Sequence, residues 1–226
     1  LHADPLEPTP MNSLSERLRS QTWPAHKQVE ATSFVRALLG GQVDRTGYCL
    51  LLASLHPIYA ALEAALLRHA QHPGIASVFS PALLREASLG SDLDHLHGTA
   101  WRNELEAQPA ARAYAARIAE IERNEPALLV AHAYVRYLGA PSGGPALRKI
   151  AARAPGLVPE AGTRFYDFGS PQQVGAMAQR FRSGLDQIEG DPASREAIVS
   201  EATDAFRRHG ELFEQLDRAR FAPSVA

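Results

Sequence analysis

Cysteine is almost missing from this chain. Of 226 residues one is cysteine, Cys49, so no internal disulfide can form and no cysteine-based zinc or iron–sulfur site can assemble within one chain. That pattern suits a reducing compartment. An excess of either charge is missing too: Lys+Arg number 23 and Asp+Glu 25, a formal net charge of -2, which leaves no whole-chain field for a nucleic acid backbone. Nucleic acid is therefore not expected as a partner. The longest uncharged stretch, Thr46 to Leu62, carries Gly47, Ser54, His56 and Pro57 and reads as a core helix, not a membrane anchor. The proline-containing start, Leu1 to Pro10, has neither a basic n-region nor an apolar h-region, so a cytoplasmic location is the expectation. Alternating strand patterns and Asn-Gly hairpin turns are missing as well.

What remains is helical punctuation and histidine. The nine histidines outnumber both the eight phenylalanines and the six tyrosines, and any metal chemistry must rest on imidazole or carboxylate. The expected class is all-α, a single multi-helix domain over 13–219 with loose tails at 1–12 and 220–226. A first helix runs from Ser13 to about Ala31, with Pro24 expected to kink it or restart it behind Thr22 as cap. Gly40-Gly41 closes a short second helix. Leu51, Leu55, Ile58, Leu62 and Leu66 mark a long core stripe. Ser80-Pro81 and Ser91 read as helix starts, and Pro109 opens a segment whose Tyr114, Ile118 and Ile121 share a face. Asn124 to Pro126 introduces a stretch through Leu138. Ser170-Pro171-Gln172-Gln173 is a capping box heading Met177, Phe181, Leu185 and Ile188. Asp191-Pro192 opens a final helix with Ile198, Ala202, Phe206, His209, Phe213 and Leu216 along one side.

Among the histidines, His26 and Glu30 stand four apart on one helix face. A carboxylate so placed can orient a metal-binding imidazole, yet on spacing alone an ordinary surface pair is the commoner meaning. His209, between Phe206 and Phe213, reads as a satisfied core histidine. The run Asp92 to His97 reads as capping or a solvated face, and His56, His69, His72 and His132 have no second ligand at useful spacing. Gly139 to Pro145 holds three glycines and two prolines, costing about 1 kcal/mol for each glycine and about 3 for a proline in a regular helix. It is a loop by propensity, or a place where backbone approaches a flat ligand.

Three segments in order carry a resemblance. Tyr134 to Ile150 (YVRYLGAPSGGPALRKI) resembles the distal-helix signature of the heme oxygenase family; Leu14 to Glu30 (LSERLRSQTWPAHKQVE) is similar to its proximal helix; and Ala202 to Leu216 (ATDAFRRHGELFEQL) is similar to its C-terminal helix. Further echoes at Ser54 to Glu63, Arg85 to Leu93 and Gly162 to Phe168 extend the likeness from about Leu14 to Leu216. The resemblance implies heme held between a proximal and a kinked distal helix, His26 on the iron and Glu30 supporting it. It implies Arg19, Arg182 and Tyr134 at the propionates, with Phe206 and Phe213 in the pocket wall. Gly139, Gly143 and Gly144, with Ser142, would bring backbone over the ring and steer oxygen to a meso carbon.

Heme would then be cofactor and substrate, opened with O2 to biliverdin with release of ferrous iron and carbon monoxide. The chain carries no Rossmann-type glycine motif, so a ferredoxin or flavoprotein reductase is the implied electron donor and a biliverdin-accepting photoreceptor a candidate recipient. Two departures from the family pattern stand out. Ala140 stands where the best-known members carry an aspartate that holds distal water, which leaves Arg136, Tyr59 or His209 to organise it. Trp23 and Ala178 stand where cations are common, which thins the propionate clamp. Two other readings accompany this one. A non-enzymatic heme-binding or carrier protein on the same fold is motivated by Ala140. A di-iron carboxylate bundle would need Glu-x-x-His motifs, and none occurs.

Overall fold

A computed structural model describes residues 13–138 and 162–220, and among them there is no strand. The helices are α1 (Leu14–Glu30), α2 (Ser33–Leu39), α3 (Arg45–Arg68), α4 (Pro73–Val78), α5 (Glu86–Leu96), α6 (Trp101–Glu104), α7 (Pro109–Asn124), α8 (Leu129–Tyr137), α9 (Pro171–Asp186) and α10 (Pro192–Arg220). Single 3-10 turns lie at Pro81–Leu83, Pro126–Leu128 and Arg164–Tyr166. The expected tails lie outside the described residues, except that α10 continues through Arg220, one residue past the expected boundary.

The centre of the bundle is α3, which packs on α5 and α7. Its stripe Leu51, Leu55, Ile58, Leu62 and Leu66 is buried throughout, and each such side chain contributes about 1.5–3 kcal/mol. By length and composition α3 could also cross a membrane, but 61% of its most apolar window is buried inside the protein, as for a core helix. The longest helix, α10, lies against α1, α2, α7 and α8. Every member of its expected stripe, Ile198 through Leu216, is buried.

Local signals set the ends. Ser13 and Glu16 form a capping box on α1, as Ser170 and Gln173 do on α9, each satisfying two otherwise orphaned donors. Of the α9 stripe, Phe181 and Leu185 are buried, Met177 is half-buried, and Ile188 is buried just beyond the helix end. Gly40 caps α2, with Gly41 left-handed at φ 67°.

Three expected boundaries are wrong. The first helix runs unbroken through Pro24, and Thr22 is no cap: its buried hydroxyl donates to the Leu18 carbonyl at 2.7 Å. Pro24 and Ser20, whose carbonyl loses its donor, are both exposed, so water can take that bond while Leu14, Leu18 and Thr22 anchor the buried face. Ser91 lies inside α5, which begins at Glu86. There the Glu63 carboxylate accepts from the backbone N–H groups of Arg85 and Glu86 and replaces a local cap. Ser80 gives only a 3-10 turn and makes no side-chain cap bond.

Candidate functional site

The C-terminal end of α8 faces α1 and α10 across a cleft with two connected chambers. The outer chamber, about 590 Å3, is lined by Ser15, Glu16, Arg19, Thr22, Trp23, His26 and Glu30 of α1, by Tyr134 and Leu138 at the end of α8, by Arg182 of α9 and by Phe206 of α10. The inner chamber, about 180 Å3, shares His26, Glu30 and Phe206 and continues past Val35, Leu38, Leu51 and Leu55 to Val135, Arg136, Phe165, Tyr166, His209 and Phe213. The outer volume falls within the ~300–1,000 Å3 of sites that enclose small molecules and cofactors.

His26 stands where the two chambers meet. Its ring stacks on Trp23 (centroids 5.6 Å apart, planes at 10°) and meets Phe206 edge-on at 5.6 Å. Its Nδ1 is buried without a hydrogen-bond partner. Glu30 Oε1 lies 3.8 Å away, beyond a direct bond but close enough to favour a proton on Nδ1. The other Glu30 oxygen accepts from Lys27 Nζ at 2.6 Å, and this bond chiefly holds the Glu30 carboxyl below its ordinary range, with His26 adding to it. Lys27 also lies over the Trp23 ring, 4.5 Å from its centroid.

The outer mouth is exposed and carries two arginines alongside Glu16 and Glu30. Arg19 and Arg182 line it, and guanidinium groups match carboxylates bidentately. Tyr134 Oη is 3.4 Å from Thr22 Oγ1, and burial raises the phenol's pKa.

The inner end sets one buried polar cluster among apolar walls. Arg136 is buried; its Nε and Nη2 donate to Tyr59 Oη at 3.2 and 3.1 Å, and its Nη1 sits 2.8 Å from His209 Nδ1. Burial, with the adjacent Arg136 charge, pushes His209 well below the ordinary histidine range, so its ring is neutral and accepts from Arg136. Tyr59 does not line the cavity; it acts through Arg136 from behind. Phe165 and Tyr166 are set by buried Asp92, which accepts from the backbone N–H groups of Arg164 and Phe165 at 3.0 and 2.8 Å. Gly162 precedes them in the left-handed region at φ 79°, where an added Cβ would lie 2.6 Å from Leu96.

Most proposed site residues converge. His26, Glu30, Arg19, Tyr134, Arg182, Arg136, His209, Phe206 and Phe213 all line one chamber or both. Gly139, Ala140, Ser142, Gly143 and Gly144 lie outside the described residues. Three of the remaining histidines lie close to acids: His56 Nε2 is 2.7 Å from Glu86 without a hydrogen-bond geometry, His69 is 3.6 Å from Glu122, and fully buried His132 lies between Tyr114 and Glu201. No cluster able to hold a bare metal ion occurs among the described residues. Phe165, Tyr166 and Leu138 were not singled out from sequence, although the Gly162 to Phe168 echo contained two of them.

The donor set fits heme. It offers one imidazole at a chamber junction, an apolar and aromatic interior, and two arginines at the open edge. A family model described as heme oxygenase matches residues 12–215. The chain is 40% identical over 207 residues to a heme oxygenase of Pyropia yezoensis, covering 92% of this chain and 87% of that one. It is 37% identical to heme oxygenase 1 of Nostoc sp., covering 91% and 87%. Its fold superposes on the crystal structure of heme oxygenase-1 from Synechocystis sp. in complex with heme with a TM-score of 0.87, at 35% identity over 92% of this chain and 94% of that one.

Proposed function

Because the chain belongs to the heme oxygenase family and is an all-α oxidoreductase of that kind, we propose that it binds heme through His26 and opens it to biliverdin, releasing ferrous iron and carbon monoxide. The observation that carries this reading is the place of His26: an imidazole at the junction of two chambers, with a buried, unpartnered Nδ1 and a carboxylate 3.8 Å away. Bound heme supplies the iron that activates dioxygen and the macrocycle that is cleaved.

The protein's part is orientation, electrostatics and exclusion of water. Trp23 and Phe206 hold the His26 ring from two sides. Glu30 stays ionised beside Nδ1 and favours the proton there, which leaves the other nitrogen available to iron. Arg19 and Arg182 pair with propionates at the mouth, which fixes how the macrocycle is rotated in the cleft. Val135, Phe165 and Phe213 keep the inner chamber apolar, so the fixed donors of Arg136 act with little competition from solvent.

Electrons come from a separate ferredoxin or flavoprotein reductase in this proposal. The lack of a Rossmann-type glycine motif in the chain supports it. The test is aerobic incubation of the heme complex with a ferredoxin, its reductase and NADPH, followed by biliverdin absorbance and ferrous iron release. Bound heme that persists unopened as a stable oxygen complex would favour the carrier reading.

A further inference from the structure

The inner chamber ends on a buried cation with no carboxylate hydrogen-bonded to it among the described residues. Arg136 is 7% exposed, and none of its hydrogen bonds goes to an acid: the partners are Tyr59 and His209. Both are neutral, since burial raises the Tyr59 phenol and lowers the His209 ring. The nearby buried acids are committed elsewhere. Glu63 accepts from the Arg85 and Glu86 backbone and from Tyr137, and Glu201 accepts from His132 and Arg117. The Tyr59 ring face, 5.0 Å from the guanidinium carbon, offsets part of the charge. No described acid pairs with the rest.

A donor count points the same way. A guanidinium has five N–H groups. One on Nε and one on Nη2 go to Tyr59, and one on Nη1 goes to His209, which leaves two. Tyr59, accepting through its oxygen, keeps its own hydroxyl hydrogen, for which no acceptor exists among the described residues. Buried charge and buried donors both demand partners.

We propose that this end of the cleft is a binding site for a small monovalent inorganic anion, held by Arg136, whose guanidinium Tyr59 and His209 fix from behind, in the chain without heme. Phe165 and Phe213 shield it, so a compact, weakly hydrated anion suits it better than a multiply charged one. The neutral His209 ring adds no charge of its own and fixes the guanidinium.

The test uses the full heme-free chain and sodium nitrate, with ionic strength held constant by sodium fluoride. Thermal unfolding of wild type should rise saturably with nitrate, by about 5–10 °C once nitrate exceeds its dissociation constant a hundredfold. Arg136→Met should abolish the saturable rise, and Arg136→Lys, which keeps the charge but loses the guanidinium fork, should weaken nitrate several-fold; if Arg136→Met does not fold, Arg136→Lys carries the comparison. Crystals soaked in iodide should show an anomalous peak within hydrogen-bond distance of Arg136. Equal nitrate responses in wild type and variants, or iodide on the surface alone, would overturn the site as an adventitious ion only. Heme plays no part in these measurements, so their failure leaves the heme oxygenase reading standing.

Discussion

Glu30 stands closer to Lys27 than to the histidine it was expected to serve: its carboxylate accepts from Lys27 Nζ at 2.6 Å and lies 3.8 Å from His26 Nδ1. All three side chains are partly exposed, so the arrangement is a solvated support, not a buried one. Glu30→Ala should leave unfolding within about 0.5 kcal/mol of wild type and weaken heme affinity about tenfold, the low end for a group that supports a metal-bound histidine. Heme titration and denaturant unfolding measure the two effects. Lys27→Met removes the main cause that lowers the Glu30 pKa, so an NMR carboxyl titration should place Glu30 higher in that variant.

Gly184 is required by packing. It is buried on α9 where α9 meets α4, and an added Cβ would lie 2.1 Å from the Ser77 carbonyl oxygen. Backbone must move to admit it, so Gly184→Ala should cost about 3 kcal/mol and lower Tm by roughly 6–12 °C. Gly175 on the same helix has nothing within 4 Å of an added Cβ. Gly175→Ala should instead stabilise by about 0.5–1 kcal/mol. Paired thermal melts check both signs.

The buried pair of α8 and α10 sets an acid limit on stability. Glu201 is 7% exposed, and although burial works against ionisation, His132 and Arg117 donate to it and hold its pKa down to about 2 from 4.5. A depressed carboxyl stabilises the fold above its unfolded pKa and loses that contribution as pH falls through the folded one. The window is therefore pH 4.5 down to about 2. Between pH 6 and pH 3 wild type should lose about 2 kcal/mol that Glu201→Gln, with no carboxyl to titrate there, does not lose. Urea unfolding at the two pH values gives the difference.

What sequence could show divides along the range of the interaction. The Ser170 box, the α3 and α10 stripes and the His26/Glu30 spacing are local patterns, and each lies where its pattern placed it. Pro24 misled because the carbonyl it strands faces solvent, a fact set by how α1 packs. The start of α5 was missed because its cap is Glu63, 23 residues upstream of Glu86. His132 read as a bystander because its acid is Glu201, 69 residues away. At the site the placing of His26, Arg19 and Arg182 around one cleft was legible from sequence. Asp92 holding Phe165 against the inner chamber, and the absence of any acid beside Arg136 among the described residues, follow only from the fold.

The claim at the centre of this account is that His26 is the iron ligand. Titrating ferric heme into wild type and His26→Ala, and recording Soret position and affinity, tests it most directly. Wild type should give a histidine-ligated spectrum; His26→Ala should lose that spectrum, bind heme at least tenfold more weakly and regain the wild-type spectrum on addition of imidazole. A His26→Ala complex with an unchanged Soret band and unchanged affinity would contradict it.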